Sequence, residues 1–372
     1  MAVNLLAPLG GRYGAEALAQ ALRDAERLGY RLTRVDGPDE RLCAWIDWTF
    51  APSWWSSEAR DGSAWIAYAA DGEIVGFAAF GARSRSAPWL QPYRDRRDTG
   101  IFGPFGVAEA HRGTGLGAAL LTAALCGLAE RHTQALIPAV AGERLIASYE
   151  RRAGARVADT YEYALRPARA VILASGSGTN AQAVIDDARA GRNALDIAAV
   201  VCNAAGAQVR ERARAAGIAD DLVAWDRATQ TRADFDERVI AAVAAHAPDL
   251  VLLLGWMHLL PAAFLACFPQ TINVHPAFLP FDPAAEAVVM PDGTAIQAFR
   301  GARSPEATIA AGVGWAGVSV HRVTPAADRG GILVRTPLKL APGTTLDGLR
   351  AQLRPLEHGA VAKAIRRWSL GA

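Results

Sequence analysis

Four short apolar runs punctuate the second half of the sequence: Ala170–Ala174, Ile197–Cys202, Leu250–Leu254 and Thr271–His275. Each is strand-sized. Helical spacing of apolar residues fills Ala181–Ala190 and Asp234–His246 between them. Strands alternating with helices predict an α/β region with a doubly wound, mostly parallel sheet. Such sheets bind ligands beyond the carboxyl ends of their strands, so residues at those ends are the first site candidates.

A chain of 372 residues has room for two domains. Arg166-Pro-Ala-Arg169 is the natural joint, because proline interrupts the apolar pattern there. The expected domains are 1–166 and 170–372. The first reads as a mixed sheet with helices. Leu18–Leu28 and Ala118–Arg131 have helical spacing. Trp65–Ala69 and Ile74–Phe80 read as strands around an Asp71-Gly72 turn, with further strands at Ile101–Val107 and Tyr161–Leu165.

A net charge of +2, with no dense basic run, argues against a nucleic-acid partner. No apolar run of about 18 residues suggests a membrane span, and the first residues do not read as a signal peptide. A cytoplasmic enzyme is expected. Cys43, Cys126, Cys202 and Cys267 are widely spaced, which argues against a zinc cluster or a disulfide scaffold, and no metal is expected. The apolar neighbours of Cys202 and Cys267 predict core positions for both.

In the first half, a strand ending at Val107 runs through Arg112-Gly-Thr-Gly-Leu-Gly117 into a helix. Glycines permit close backbone approach, and the free amides of a helix start attract phosphate. The Arg-x-x-Gly-x-Gly pattern resembles the acetyl-CoA loop of the GNAT acetyltransferase family, over about the first 165 residues. That resemblance implies acetyl-CoA, or another acyl-CoA, held by Arg112, Gly113, Thr114, Gly115, Leu116 and Gly117. Ser148–Ala155 resembles a later family segment, which makes Tyr149 the candidate general acid for the departing thiolate. Tyr149 could equally be an aromatic packing on the sheet. The domain could N-acetylate a small amine or serve as a binding module.

In the second half, Ser175-Gly-Ser-Gly-Thr-Asn180 follows a strand and opens a helix, which suits a phosphate. It is not a Walker loop. Asn273 and His275 lie two apart at a strand end and so project to one side, either as structural polar residues satisfied in place or as an amide and a protonated imidazole that hold an oxyanion. Asp328, in a Gly-Gly loop, reads on its own as a solvated loop aspartate; projecting into a cleft instead, it would favour the charged form of His275 and could relay a proton. His321 precedes it on an apparent strand.

Taken with Leu254-Gly-Trp-Met-His-Leu-Leu260, Asn273–Pro280, Gly317–His321, Asp328–Gly331 and Glu357-His358, these motifs resemble the glycinamide ribonucleotide transformylase family. The similarity spans about Ala170 to Trp368. It implies a catalytic trio of Asn273, His275 and Asp328. Gly176, Ser177, Gly178, Thr179 and Asn180 would hold the substrate phosphate, and Glu357 would lie near its sugar. Leu253, Trp256, Met257, Leu259 and Leu260, with backbone at Ala327, would wall the pocket for 10-formyltetrahydrofolate. The implied reaction is formyl transfer to a substrate amine, in the one-carbon chemistry of purine biosynthesis.

Phe281–Phe299 stands where that family has a short link. It reads as a β-hairpin around Pro291-Asp-Gly-Thr294, either a roof over the amine site or a surface ornament. Arg300-Gly-Ala-Arg303 resembles the loop of methionyl-tRNA formyltransferases instead. The acceptor is therefore glycinamide ribonucleotide or another small amine. A hydrolase acting on 10-formyltetrahydrofolate is the alternative. A homodimer is compatible with the sequence and not specified by it.

Overall fold

The computed structural model describes residues 2–81 and 87–371. The first half runs β1 (Ala2–Pro8), α1 (Ala15–Arg27), β2 (Arg31–Asp36), α2 (Glu40–Thr49), α3 (Trp55–Ala59), β3 (Ser63–Tyr68) and β4 (Ile74–Gly81). It continues through β5 (Thr99–Val107), α4 (Leu116–Ala129), β6 (Gln134–Val140), α5 (Glu143–Ala153) and β7 (Arg156–Tyr161). These strands form one sheet in the order β2-β3-β4-β5-β6-β1-β7. Among the described strands of this sheet, β5 and β6 are the parallel pair. They pair over Thr99–Ile101 against Gln134–Leu136 and no further. The sheet is thus unpaired at its centre on the side where β5 runs out toward α4. Leu116, Leu120, Leu121 and Leu125 of α4 are buried against it.

One expectation fails here. Of Tyr161–Leu165 only Tyr161 is in a strand. Tyr163 and Leu165 are held by packing beside Trp89, with Tyr163 edge-on to it at 5.3 Å between ring centres. Aromatic burial there comes from a side-chain cluster rather than from sheet pairing.

The second half runs β8 (Ala168–Ala174), α6 (Thr179–Arg189), β9 (Leu195–Cys202), α7 (Gln208–Ala215), β10 (Ala219–Leu222), α8 (Arg232–Ala244) and β11 (Leu250–Leu253). Then come α9 (Ala262–Cys267), β12 (Thr271–His275), β13 (Ala287–Val289), β14 (Ala295–Gln297), α10 (Ser304–Ala310), β15 (Trp315–Arg322), β16 (Ile332–Lys339) and α11 (Leu346–Ser369). The sheet order is β10-β9-β8-β11-β12-β15-β16. The first five strands are parallel, and β15 and β16 add an antiparallel edge. This is the doubly wound, mostly parallel sheet that the strand–helix alternation predicts.

Both faces are covered, which is why its central stretches, Ala170–Ala174 of β8 and Leu250–Leu253 of β11, are apolar at every position. Ile172 and Leu252 face α6 and α11, whereas Val171, Leu173 and Leu253 face Phe235 of α8 and Phe264 of α9. Cys202 is buried as expected, but Cys267 is exposed. Phe264, Leu265 and Phe268 take the inward side of the short α9, leaving its last position to solvent.

The Phe281–Phe299 insertion does form a hairpin, with Val288 paired to Ile296. It is neither a free ornament nor a simple roof, because it lies between the two halves. Val288, Met290, Ile296 and Phe299 are buried with Ala44 of α2 and Trp315 of β15. Beside it, the fully buried Arg335 of β16 donates from Nε to Asp47 Oδ2 of α2 at 2.6 Å. Its guanidinium also lies 3.9 Å from the Phe281 ring centre and donates to the Leu279 carbonyl at 2.8 Å. Burial pushes the Asp47 carboxyl up to about 6 against the opposing pull of Arg335. Among the described residues, no helix is long and apolar enough to cross a membrane.

Candidate active site

Parallel neighbours end at the same edge of a sheet, so β8, β11 and β12 deliver three loops to one place. Around their carboxyl ends lies a cavity of about 600 Å³. Every site candidate from the second half lines it: Gly176–Asn180, Leu253, Trp256, Met257, Leu259, Leu260, Asn273, His275, Ala327, Asp328 and Glu357.

The glycine turn after β8 opens the 11-residue α6. Gly178 has φ 71°, and a Cβ there would meet the Val209 backbone at 2.9 Å, so both conformation and space demand glycine. Arg212 braces the turn by donating to the Ser177 carbonyl at 2.8 Å. At its end, Asn180 Nδ2 donates to Glu357 Oε2 at 2.8 Å. Burial raises the Glu357 carboxyl, with the Asn180 bond acting against it. Glu357 therefore sits beside the phosphate-type turn although 177 residues separate it from Asn180.

The loop after β11 supplies an apolar wall. Trp256 is buried, parallel to Phe235 at 6.4 Å between ring centres. Its Nε1 is buried with no hydrogen-bond partner among the described residues. Met257 and Leu259 are 58% and 62% exposed on the same loop. Large apolar side chains left open beside a cavity suit a flat, partly apolar ligand. His258 completes the wall: it is edge-on to Trp256 and bonded through Nε2 to Asn203 Nδ2 at 2.7 Å.

The reacting end is a four-residue network. Asp328 lies between two imidazoles, with Oδ2 3.4 Å from His275 Nδ1 and Oδ1 3.4 Å from His321 Nε2. It has φ 53°, a left-handed conformation uncommon for aspartate and of the kind seen where a site dictates the backbone. Gly330 makes the bend possible, since any Cβ there would overlap the Arg322 carbonyl. Burial alone would raise the Asp328 carboxyl. The two imidazoles when protonated, His321 by a hydrogen bond and His275 by its charge, together with the Gly301 amide, which donates to Oδ2 at 2.7 Å, outweigh it and hold the carboxyl well below the usual range.

His275 is buried, and burial lowers its pKa. Asp328 and a hydrogen bond to the Phe299 carbonyl oppose this, while His321 and Arg300 add to it. The direction for His275 is downward, so the imidazole is neutral more readily than a free histidine. His321 belongs to the same network although the sequence marked it only by its place on a strand before Asp328 and in the Gly317–His321 motif, with no role attached. Its Nδ1 donates to the Arg322 carbonyl at 2.8 Å, which leaves Nε2 to accept from Asn273 Nδ2 at 3.2 Å. That bond orients the Asn273 amide nitrogen, which also lies 3.5 Å from Asp328 Oδ1.

The first half has its own cavity, of about 640 Å³, between α1 and α4. Thr114 and Gly115 of the candidate loop line it, with Arg12, Arg27 and Arg152 among its walls. Arg112 is turned back, donating from Nε to the Val107 carbonyl at 3.1 Å. Leu116 is fully buried, and Gly117 packs over Phe105, so these two offer backbone rather than side chain. Gly113 is exposed. Tyr149 does not line this cavity. It is buried edge-on to Phe102, and burial pushes its hydroxyl above the ordinary tyrosine range. Tyr13 does line it, and its hydroxyl is buried without a partner among the described residues. No motif marked Tyr13; its signal is spatial.

Residues 168–365 match the formyl transferase family, and residues 19–155 match the GNAT acetyltransferase family. Phosphoribosylglycinamide formyltransferase of Escherichia coli K12 is 31% identical over 199 residues, 53% of this chain and 85% of that protein. The trifunctional purine biosynthetic protein adenosine-3 of Bos taurus is 27% identical over 208 residues, 56% of this chain but 19% of that protein. Among solved structures, glycinamide ribonucleotide transformylase 1 from Symbiobacterium toebii is 32% identical. The match covers 57% of this chain and 92% of that one, with a TM-score of 0.48. The chain belongs to the formyl transferase family, with a GNAT-family acetyltransferase domain ahead of its formyltransferase domain.

Proposed function

We propose that the second half transfers a formyl group from 10-formyltetrahydrofolate to the amine of a small phosphate-bearing substrate, glycinamide ribonucleotide or a close relative. The observation that carries this reading is the lining of one cavity. A phosphate-type turn stands at one end, an exposed apolar wall at the other, and Asn273, His275 and Asp328 lie between them. Met257 and Leu259 fit a flat ring system, and the bound folate would supply the formyl carbon. The Gly176–Asn180 turn and the start of α6 anchor the phosphate, with Glu357 toward a sugar.

His275 and Asn273 then face the formyl oxygen. Charge developing on that oxygen favours a proton on His275 Nδ1, which burial otherwise disfavours, and ionised Asp328 supports the same shift. Asp328 is also placed to move the proton that the amine gives up. A phosphate anchor favours an amine substrate over water, because hydrolysis of the folate needs none.

For the first half, we infer binding of acetyl-CoA, or another acyl-CoA, and N-acetylation of a small amine. Three arginines rim the cavity beside the glycine loop, which suits phosphates. Tyr13 is a better-placed hydroxyl than Tyr149 for meeting a ligand there. We take both activities to be cytoplasmic.

The test is a formyl-transfer assay with 10-formyltetrahydrofolate and glycinamide ribonucleotide, following tetrahydrofolate release and product mass, with His275→Ala as control. Turnover lost in the variant supports the reading. Folate binding without turnover would replace glycinamide ribonucleotide by another amine. Formate release without any amine would favour the hydrolase.

A further inference from the structure

The insertion between Pro280 and Arg300 touches both halves of the molecule. Its strands β13 and β14 bury Val288, Met290 and Ile296 against Ala44 of α2 and Trp315 of β15. Trp48 of α2 lies edge-on to Trp315, at 5.4 Å between ring centres. The inner end of the insertion reaches the reacting groups. The Phe299 carbonyl accepts from His275 Nε2 at 2.8 Å, and two residues on, Gly301 donates to Asp328.

A carbonyl can only accept. The Phe299 bond therefore requires the proton on Nε2 and leaves Nδ1 as the nitrogen that faces Asp328. Ring and carbonyl of Phe299 belong to one residue, which is 5% exposed: the ring packs in the interdomain cluster, while the carbonyl sits on the imidazole. Moving the cluster moves the acceptor.

We propose that Phe299 is a positioning residue of the formyl-transfer site, holding His275 in its Nε2–H tautomer, with α2 of the GNAT-family domain as the buttress that keeps it in place. This rests on the reading of His275 as a reacting group. The acetyltransferase-type domain is then part of the formyltransferase's working structure, whatever its own activity.

The charged and titratable groups facing His275 are Asp328 from the loop after β15, His321 from β15 and Arg300 from the end of the insertion. A change at position 299 alters none of them. Loosening the carbonyl removes a contact that favours the protonated ring, so the His275 titration moves to lower pH.

The experiment uses the full chain labelled with 15N-histidine, and compares imidazole nitrogen shifts across pH in the parent, Phe299→Ala, Phe299→Leu and Trp48→Ala. The parent should show His275 as one tautomer, protonated at Nε2. Phe299→Ala should show mixed tautomers and a lower titration midpoint, Phe299→Leu should restore most of the parent behaviour, and Trp48→Ala should move the same way by less. In formyl transfer, Phe299→Ala should lower kcat about tenfold with little change in KM, as misplaced groups do.

A parent His275 protonated at Nδ1, or a folded Phe299→Ala with the parent's tautomer and midpoint, overturns the proposal. Should Phe299→Ala fail to fold, Trp48→Ala decides, because Trp48 is 45% exposed and its loss spares the buried face of α2; parent-like shifts there overturn the buttress. The spectra need no amine substrate, so a wrong reading of the acceptor is distinguishable from a wrong reading of Phe299.

Discussion

Both halves of the chain set a glycine-rich turn at the start of a helix, Gly113–Gly117 at α4 and Gly176–Asn180 at α6. The local physics is the same: permissive backbone, unpaired amides and the positive end of a helix dipole. The surroundings differ. The second turn shares its cavity with two histidines, two carboxylates and an asparagine delivered by β12, β15, α11 and the loop after β15. The first shares its cavity with alkyl side chains, three arginines, Gln20, Asp24, Thr122 and a buried tyrosine hydroxyl, with no histidine among them. A phosphate-type turn alone therefore says that something anionic can be held. What happens to the ligand depends on groups brought from far along the chain.

The largest expected effect tests whether the two regions are mechanically separate. Asp47→Ala leaves Arg335 buried without its closest carboxylate, which should cost about 3–5 kcal/mol of stability. Denaturant unfolding should show it. A loss confined to the first half, with the second half's transition unchanged, would mean that the halves are independent after all. Next comes chemistry. His275→Ala should lower formyl-transfer kcat about 100–1000-fold while acetyl-CoA binding, measured by calorimetry, stays at the parent level. Coupled loss of both would erase the contrast between the cavities.

A smaller change sharpens the other side. The double variant Arg12→Ala, Arg152→Ala should weaken acetyl-CoA about tenfold and leave formyl transfer intact. Unchanged affinity would remove the arginine rim from the binding site. Smallest is a pH shift. Asp328 opposes the burial that lowers the His275 pKa, so Asp328→Asn should push the His275 midpoint in kcat/KM further down. Because Asp328 itself is held below the usual carboxylate range, its own titration should stay well below neutral pH. An upward move of the midpoint would mean that Asp328 does not act on His275 as an ionised neighbour.

Much of the second half was legible from its residues. The apolar runs at 170–174 and 250–254 have to be strands buried on both faces, and period-two projection puts Asn273 and His275 on one side. The exposed Cys267 and the coil at 162–167 were misread because an apolar neighbourhood in sequence does not say which side of an element faces the core. His321, His258 and Tyr13 could not be ranked from the sequence, since their roles come from contacts with Asn273, Asn203 and an empty space beside α4.

By itself the sequence determined the alternation of strands and helices, both glycine turns, the shared side of Asn273 and His275 and the presence of a hairpin, because these follow from local spacing and backbone freedom. Tertiary structure decided which cavity gathers histidines beside carboxylates, that Tyr13 rather than Tyr149 lines the cavity beside α4 although both are buried, and that the hairpin joins α2 to His275. Those outcomes depend on residues up to 288 positions apart, as Asp47 and Arg335 are, and pairing at that range is set by packing and burial rather than by any local pattern.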